Sequence, residues 1–137
     1  MAGKSVLIVD DDPDIAVYLT SFLEDEGYAA RSAADAGKAL LILEGFRPDA
    51  ILVDVLMPGR SGLDLLVTLR RDPRWQDIPL VVVTGMDKIL EDDCQSYLIS
   101  QHGVSGPDAV LGKPVDPRAL LAVLAHVCHR VGKTPSA

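Results

Sequence analysis

Residues 6–12 have the sequence VLIVDDD, in which four apolar residues run directly into three aspartates. Three further apolar runs also end at a polar residue: AILV is followed by Asp54, LVVV by Thr84 and AVLG by Lys113. Runs of this length, separated by stretches with helical periodicity, are typical of buried strands in a parallel sheet. Because the carboxyl ends of parallel strands share one edge, where ligands bind, we expect these polar side chains to converge in one crevice.

Strand and helix patterns alternate along the chain and predict a three-layer α/β sandwich of five strands and five helices. Asp12 and Pro13 predict the first helix start, with a capping carboxylate followed by proline at the first helical position. Gly27 is expected to end that helix. The remaining predicted helices cover residues 34–44, 63–71, 88–102 and 117–131, and the predicted strands cover residues 5–9, 28–32, 50–53, 80–83 and 109–111.

Length and composition indicate one domain, which we place at residues 1–131, followed by a short tail at 132–137. The 137 residues are 48% apolar and 24% charged, enough for a buried core. A net charge of −7 disfavours direct binding to nucleic acid. We expect a cytoplasmic protein without a membrane span, since no apolar segment is long enough. Cys94 and Cys128 lack any motif spacing and are expected to be reduced thiols.

The polar strand ends suggest a specific chemistry. Asp10, Asp11 and Asp54 are expected within a few ångströms of one another, where like charges repel unless a cation neutralises them. Mg²⁺ suits such a site, because it takes one or two carboxylates together with waters and phosphate oxygens. Lys113 would add a second positive charge for a phosphoryl group, and Thr84 would donate its hydroxyl to a phosphoryl oxygen. Asp54 is then a candidate nucleophile that forms an acyl phosphate.

Several short motifs resemble those of one known family. They are V-D-D at residues 9–11, D-x-x-M-P-G at 54–59, a glycine at 62, Thr-Gly at 84–85 and Lys-Pro at 113–114. With these motifs in this order, residues 4–131 resemble the CheY-like receiver domain of two-component response regulators. The resemblance implies a parallel sheet with the strand order 2-1-3-4-5.

The resemblance also implies a function. Asp54 would accept a phosphoryl group from the phosphohistidine of a histidine kinase or a histidine phosphotransfer protein. Asp11 and Asp54 would bind Mg²⁺ directly, joined by the backbone carbonyl of Leu56, while Asp10 would act mainly through water. Mn²⁺ is expected to substitute for Mg²⁺. The signal would leave for an unidentified downstream protein through the face formed by the predicted helix 88–102, the last strand and the last helix.

Two features depart from the family pattern. Val110 occupies the position three residues before the lysine where receivers commonly carry Tyr or Phe, and its branched side chain cannot make the same large rotamer swing. In addition, 29 positions separate Thr84 from Lys113, about one to two helical turns more than is usual in the family. The extra residues are expected to be either a partner-specific adaptation or a tolerated loop insertion.

The last predicted helix is apolar on two sides. One stripe consists of Leu120, Leu124, Val127 and Val131, while Ala119, Ala122 and Val123 fall on the opposite side. A helix that is apolar on most sides is either deeply buried or part of an interface. We expect an interface here, formed with a second copy of the chain or with a partner.

Other functional classes stay open at this point. A haloacid-dehalogenase-type phosphatase would need a second Asp two residues after the nucleophile, and Leu56 occupies that position. We therefore expect no enzymatic turnover beyond self-phosphorylation and self-dephosphorylation. The remaining alternatives are a phosphorylation-independent binding module and a receiver that is one piece of a longer regulator.

Overall fold

The computed structural model describes residues 4–54, 62–84, 108–112 and 115–133, with the backbone alone for 62–63, 84 and 129–133. These residues form five strands and four helices. In chain order they are β1 (Ser5–Val9), α1 (Pro13–Asp25), β2 (Ala29–Ala33), α2 (Ala36–Leu43), β3 (Ala50–Asp54), α3 (Gly62–Arg71), β4 (Leu80–Thr84), β5 (Ala109–Gly112) and α4 (Pro117–Lys133). The helix predicted at residues 88–102 lies outside the described residues.

The five strands form one parallel sheet in the order β2-β1-β3-β4-β5, as predicted. Val9 of β1 pairs with Val53 of β3, so the residues that follow these two positions are neighbours at the carboxyl edge. In β4 and β5, Thr84 pairs with Gly112. The strand order reverses direction between β1 and β3, so the carboxyl ends of these two strands lie side by side. Open α/β sheets bind ligands at such a reversal.

Both faces of the sheet are covered, because successive residues of a strand point to opposite sides. In β1, Leu7 and Val9 face a core shared with α2 and α3, whereas Val6 and Ile8 face a core shared with α1 and α4. All four side chains are at most 1% exposed. Fully burying one aliphatic side chain contributes about 1.5–3 kcal/mol to the free energy of folding. The packing of helices on both faces of the sheet confirms the predicted three-layer sandwich.

Helix boundaries follow from local chemistry. The Asp12 side chain caps α1 and Pro13 is its first residue, as predicted. Gly27 has φ +95°, a left-handed conformation that glycine adopts without strain, and it lies just beyond the end of α1. Helix α2 begins at Ala36 rather than near residue 34, because the Asp35 side chain accepts a hydrogen bond from the backbone N–H of Lys38 and forms the N-cap.

Helix α4 buries the predicted stripe and extends beyond the predicted end. Leu120, Leu124 and Val127 are at most 1% exposed, while the side chain of Val131 lies outside the described part of the helix. The helix ends at Lys133, two residues later than expected. Val123, which the sequence placed on the opposite side, packs partly against the same core. Among these apolar residues Ala122 is exposed to solvent, while Ala119 and Val123 are partly buried.

Candidate metal centre

Three carboxylates meet where β1 and β3 end. Asp10 follows the last residue of β1, Asp11 is next in the chain, and Asp54 is the last residue of β3. One carboxylate oxygen from each of the three lies within 4.8 Å of the other two. Asp10 and Asp54 are 4% and 5% exposed, whereas Asp11 is open to solvent. We call Asp10, Asp11 and Asp54 the acidic cluster; the structure brings these three predicted residues together.

Backbone hydrogen bonds hold Asp10 at this edge. Its N–H donates to the carbonyl oxygen of Ala33 over 3.0 Å, which continues the pairing of β1 with β2 by one residue. Its Oδ1 accepts a hydrogen bond of 2.9 Å from the backbone N–H of Asp12. The position of this buried carboxylate is therefore fixed both through the sheet and through the turn that leads into α1.

Asp12 has a different role from the three residues of the acidic cluster. Its Oδ1 accepts hydrogen bonds from the backbone N–H groups of Asp14, at 3.0 Å, and Ile15, at 3.4 Å. These are two of the N–H groups that a helix leaves without an internal partner in its first turn. The third aspartate of the DDD sequence is thus directed to α1 as its cap.

The donor set of the acidic cluster fits a small divalent cation. Three oxygen donors within 4.8 Å can bind one ion, and hard oxygen ligands are those that Mg²⁺ and Ca²⁺ prefer. Because Asp11 is exposed while Asp10 and Asp54 are buried, the cluster has one side toward water, which can supply further ligands. Burial of two carboxylates beside a third also favours a cation, since like charges at this distance repel.

The other predicted site residues are described only in part. The backbone of Thr84 lies at the end of β4, next to the strand that carries Asp54, while its side chain is not among the described atoms. Lys113 and Leu56 lie outside the described residues. Val110, at the position where receivers commonly carry an aromatic residue, pairs with Val82 and packs partly against the core beneath α2 and α3.

Sequence reasoning missed one contact of this centre. It identified Asp12 as the helix cap but not the hydrogen bond from its backbone N–H to Asp10. The signal was present in the spacing, because an aspartate commonly accepts a hydrogen bond from the backbone N–H two residues later. The turn between β1 and α1 therefore contributes a backbone donor as well as carboxylates to the centre.

A parallel sheet in this order, with an acidic cluster at the ends of β1 and β3, defines an α/β domain whose strand ends could hold a cation. The chain belongs to the response regulator receiver domain family, whose model matches residues 6–125. The match covers most of the chain and includes all three residues of the acidic cluster. The predicted family and the CheY-like fold are thereby confirmed.

Individual relatives agree with this assignment. The chain is 35% identical over 132 residues to the phosphate regulon transcriptional regulatory protein PhoB of Pseudomonas aeruginosa, covering 96% of this chain and 55% of PhoB. It is 35% identical over 128 residues to a 14.6 kDa protein of Leptolyngbya boryana, covering 93% of this chain and 92% of that protein. The chain thus spans about half the length of PhoB and nearly the whole length of the smaller relative.

A solved structure shows the same fold. The chemotaxis response regulator CheY4 of Vibrio cholerae superposes with a TM-score of 0.78 at 28% identity, covering 90% of this chain and 98% of CheY4.

Among the helices that the structure describes, none combines the length and the apolar composition needed to cross a membrane.

Proposed function

We propose that the protein is a phospho-receiver in which Asp54 accepts a phosphoryl group from the phosphohistidine of a histidine kinase or a histidine phosphotransfer protein. The observation that carries this proposal is the convergence of Asp10, Asp11 and Asp54 within 4.8 Å at the carboxyl edge of the sheet. Membership of the receiver family supports the same chemistry.

In the proposed step, a carboxylate oxygen of Asp54 attacks phosphorus and forms an O–P bond. The P–N bond to the donor imidazole breaks, and its electron pair returns to the ring nitrogen, which then takes up a proton. Asp54 suits this role because it ends β3 and is held by the rigid sheet rather than by a loop. Water later hydrolyses the acyl phosphate and restores the carboxylate.

Asp11 and Asp54 would hold Mg²⁺, or Mn²⁺ in its place, with Asp10 acting through water and the carbonyl of Leu56 completing the set. When bound, the ion would neutralise the charge that builds up on the transferring phosphoryl oxygens. The exposure of Asp11 supports a cation in exchange with solvent. We propose that Thr84 and Lys113 contact the same phosphoryl oxygens by a hydroxyl donor and an ammonium group.

We further propose that phosphorylation biases a two-state equilibrium at β5, α4 and the helix predicted from the sequence at residues 88–102, and that a downstream protein or a second copy reads this change. Val110 cannot act as an aromatic switch, so the change would pass through the backbone of β4 and β5. A reducing, cytoplasmic compartment is consistent with the free, buried thiol of Cys128.

The phosphohistidine protein needs a surface next to Asp54, and α1 offers one. Its first turn follows directly after Asp11 and Asp12, and one turn further on Val17 and Tyr18 are 65% and 51% exposed. Both residues expose apolar surface on the helix that begins next to the acidic cluster, and such surface can contact a partner protein. We propose that the phosphohistidine protein docks on Val17 and Tyr18.

The assay for the central step is intact-protein mass after incubation with acetyl phosphate, with and without Mg²⁺. We expect wild type to gain one phosphoryl group only when Mg²⁺ is present, and Asp54→Asn to gain none. Asp77→Asn removes an exposed carboxylate outside the acidic cluster and should label like wild type. Labelling of Asp54→Asn at the wild-type rate would overturn the assignment of the phosphoacceptor.

Docking on α1 is tested by comparing two phosphoryl donors. The double variant Val17→Ser, Tyr18→Ser should slow transfer from a phosphohistidine protein by about tenfold, because apolar contact area is lost, while acetyl phosphate still labels it at the wild-type rate. Leu41→Ser is the matched control, since Leu41 is 73% exposed on α2. Equal transfer rates in the double variant and in Leu41→Ser would contradict the proposed surface.

A further inference from the structure

Asp12 joins helix α1 to the acidic cluster through two separate groups. Its side chain accepts hydrogen bonds from the first-turn N–H groups of Asp14, at 3.0 Å, and Ile15, at 3.4 Å. Its backbone N–H donates to Oδ1 of Asp10 over 2.9 Å. A single residue therefore contacts both the start of a helix and a buried carboxylate of the candidate metal centre.

The two contacts depend on each other through the backbone of Asp12. Its φ of −89° and ψ of 109° set the angle between its N–H and the helix that follows. Pro13, the first residue of α1, has a fixed φ and leaves little freedom beyond that point. When the cap is lost, the first turn frays and the direction of the Asp12 N–H is no longer fixed.

We propose that Asp12 is a positioning residue whose helix cap holds its backbone N–H on Asp10, so that cation binding and the order of the first turn of α1 are coupled. This inference rests on the proposed Mg²⁺ site. By thermodynamic linkage the coupling is reciprocal: a better ordered first turn strengthens cation binding, and the bound cation orders the first turn to the same extent.

Asp12 could instead bind the cation directly through its carboxylate, but its hydrogen bonds agree less well with this role. Its Oδ1 is already an acceptor for two backbone N–H groups. Within the described residues, the group of carboxylates that can share one ion consists of Asp10, Asp11 and Asp54. Asp12 therefore acts on the cation through Asp10 and not by direct ligation.

The chain contains a matched control for the cap. Asp35 is the N-cap of α2 and accepts a hydrogen bond of 2.8 Å from the backbone N–H of Lys38. It has an extended backbone, with φ −155° and ψ 173°, and it is not one of the three clustered carboxylates. Substituting Asp35 by alanine removes a comparable N-cap hydrogen bond from a helix and leaves the contact between Asp12 and Asp10 unchanged.

The experiment compares four variants: Asp12→Asn, Asp12→Ala, Asp35→Asn and Asp35→Ala. Asparagine can cap a helix and alanine cannot, and both are neutral, so each pair isolates the cap from the loss of charge. The measurements are the Mg²⁺ dissociation constant by titration calorimetry and the melting temperature without Mg²⁺. We expect both alanine variants to melt below their asparagine partners.

The Mg²⁺ dissociation constant separates positioning from simple stability. We expect it to be about three- to fivefold higher in Asp12→Ala than in Asp12→Asn, and equal in the two Asp35 variants. In wild type, Mg²⁺ should slow amide exchange at Asp14 and Ile15 more than at Lys38. Equal dissociation constants in the two Asp12 variants, with normal binding by wild type, would overturn this inference alone. A wild-type protein that binds no Mg²⁺ would overturn the proposed metal site as well.

Discussion

The two edges of the sheet carry carboxylates in different surroundings. At the carboxyl edge, Asp10, Asp11 and Asp54 face one another within 4.8 Å. At the amino edge, carboxylates face donors of this same chain: Asp49 accepts a hydrogen bond of 2.7 Å from the backbone N–H of Ser5, and Asp108 pairs with Arg70 over 3.0 Å. Three carboxylates gathered together favour an added cation, even though Asp10 also accepts a hydrogen bond from the backbone N–H of Asp12. The separate carboxylates at the amino edge pair with donors of the chain and stabilise the fold.

The pair of Arg70 and Asp108 is the most extensive of these contacts at the amino edge. Arg70 also donates to the carbonyl oxygens of Gln76, at 3.1 Å, and Ile78, at 3.4 Å. Asp108 accepts a hydrogen bond of 2.8 Å from the backbone N–H of Leu80, and its own N–H donates to the carbonyl oxygen of Leu80 over 2.8 Å. The end of α3, the start of β4 and the start of β5 are thereby joined.

The largest expected effect on stability comes from breaking that pair. Arg70→Met should lower the free energy of unfolding by about 3 kcal/mol, because Asp108 would be left largely buried without its cation. Urea denaturation measures the loss. Mg²⁺ binding should be unchanged, since the acidic cluster lies on other strand ends. A loss below about 0.5 kcal/mol, the range typical of surface substitutions, would show that the amino edge does not stabilise the fold as described.

A smaller effect is expected from the buried thiol at the same edge. Burial raises the pKa of Cys128 to about 11, with the nearby Asp49 carboxylate adding to the rise. Between the ordinary thiol pKa and about 11, the unfolded chain releases this proton while the folded protein keeps it. Stability should therefore fall by about 1–2 kcal/mol as the pH rises through this window.

The control for the alkaline effect is Cys128→Ala, measured by urea denaturation near neutral pH and near pH 10.5. Burial also raises the pKa of Tyr28, and the Cys128 thiolate adds to this rise, so Tyr28 contributes a loss of the same sign above about pH 10 that is smaller in Cys128→Ala than in wild type. Wild type should lose more stability than Cys128→Ala over this range. Parallel pH profiles for the two proteins would contradict the raised pKa of the thiol.

The smallest effect is expected at an exposed ion pair of the amino edge. Arg74 contacts Glu44 at 3.1 Å, and both side chains are 57% exposed. Glu44→Gln should change the free energy of unfolding by less than about 0.5 kcal/mol, because solvent screens the pair. The difference should shrink further at high salt. A loss similar to that of Arg70→Met would mean that burial is not what distinguishes the two ion pairs.

The carboxyl edge was the easier edge to predict from sequence. Asp10 and Asp54 follow their strands directly, so strand assignment together with sheet order is enough to bring them together. The cap of α1 is equally local, because Asp12 and Pro13 are adjacent. The ends of β1 and β3 and the start of α1 depend on few residues, and each boundary in the structure lies within one or two residues of the predicted position.

The amino edge could not be predicted in the same way. Arg70 and Asp108 are separated by 38 positions, and their contact depends on where β5 re-enters the sheet. No local pattern distinguishes Arg70 from the neighbouring Arg71. Similarly, the sequence did not indicate that Val123 packs partly on the core, because the tilt of α4 against the sheet decides which apolar residues are covered.

The measurement that tests the comparison most directly is the effect of Asp11→Ala on both Mg²⁺ binding and melting temperature, beside Asp108→Asn at the other edge. Asp11→Ala should raise the Mg²⁺ dissociation constant about tenfold or more and, without Mg²⁺, raise the melting temperature by about 2–4 °C as repulsion in the acidic cluster is relieved. Asp108→Asn should lower the melting temperature and leave the dissociation constant unchanged. If Asp11→Ala changed neither quantity, the acidic cluster would not be a cation site.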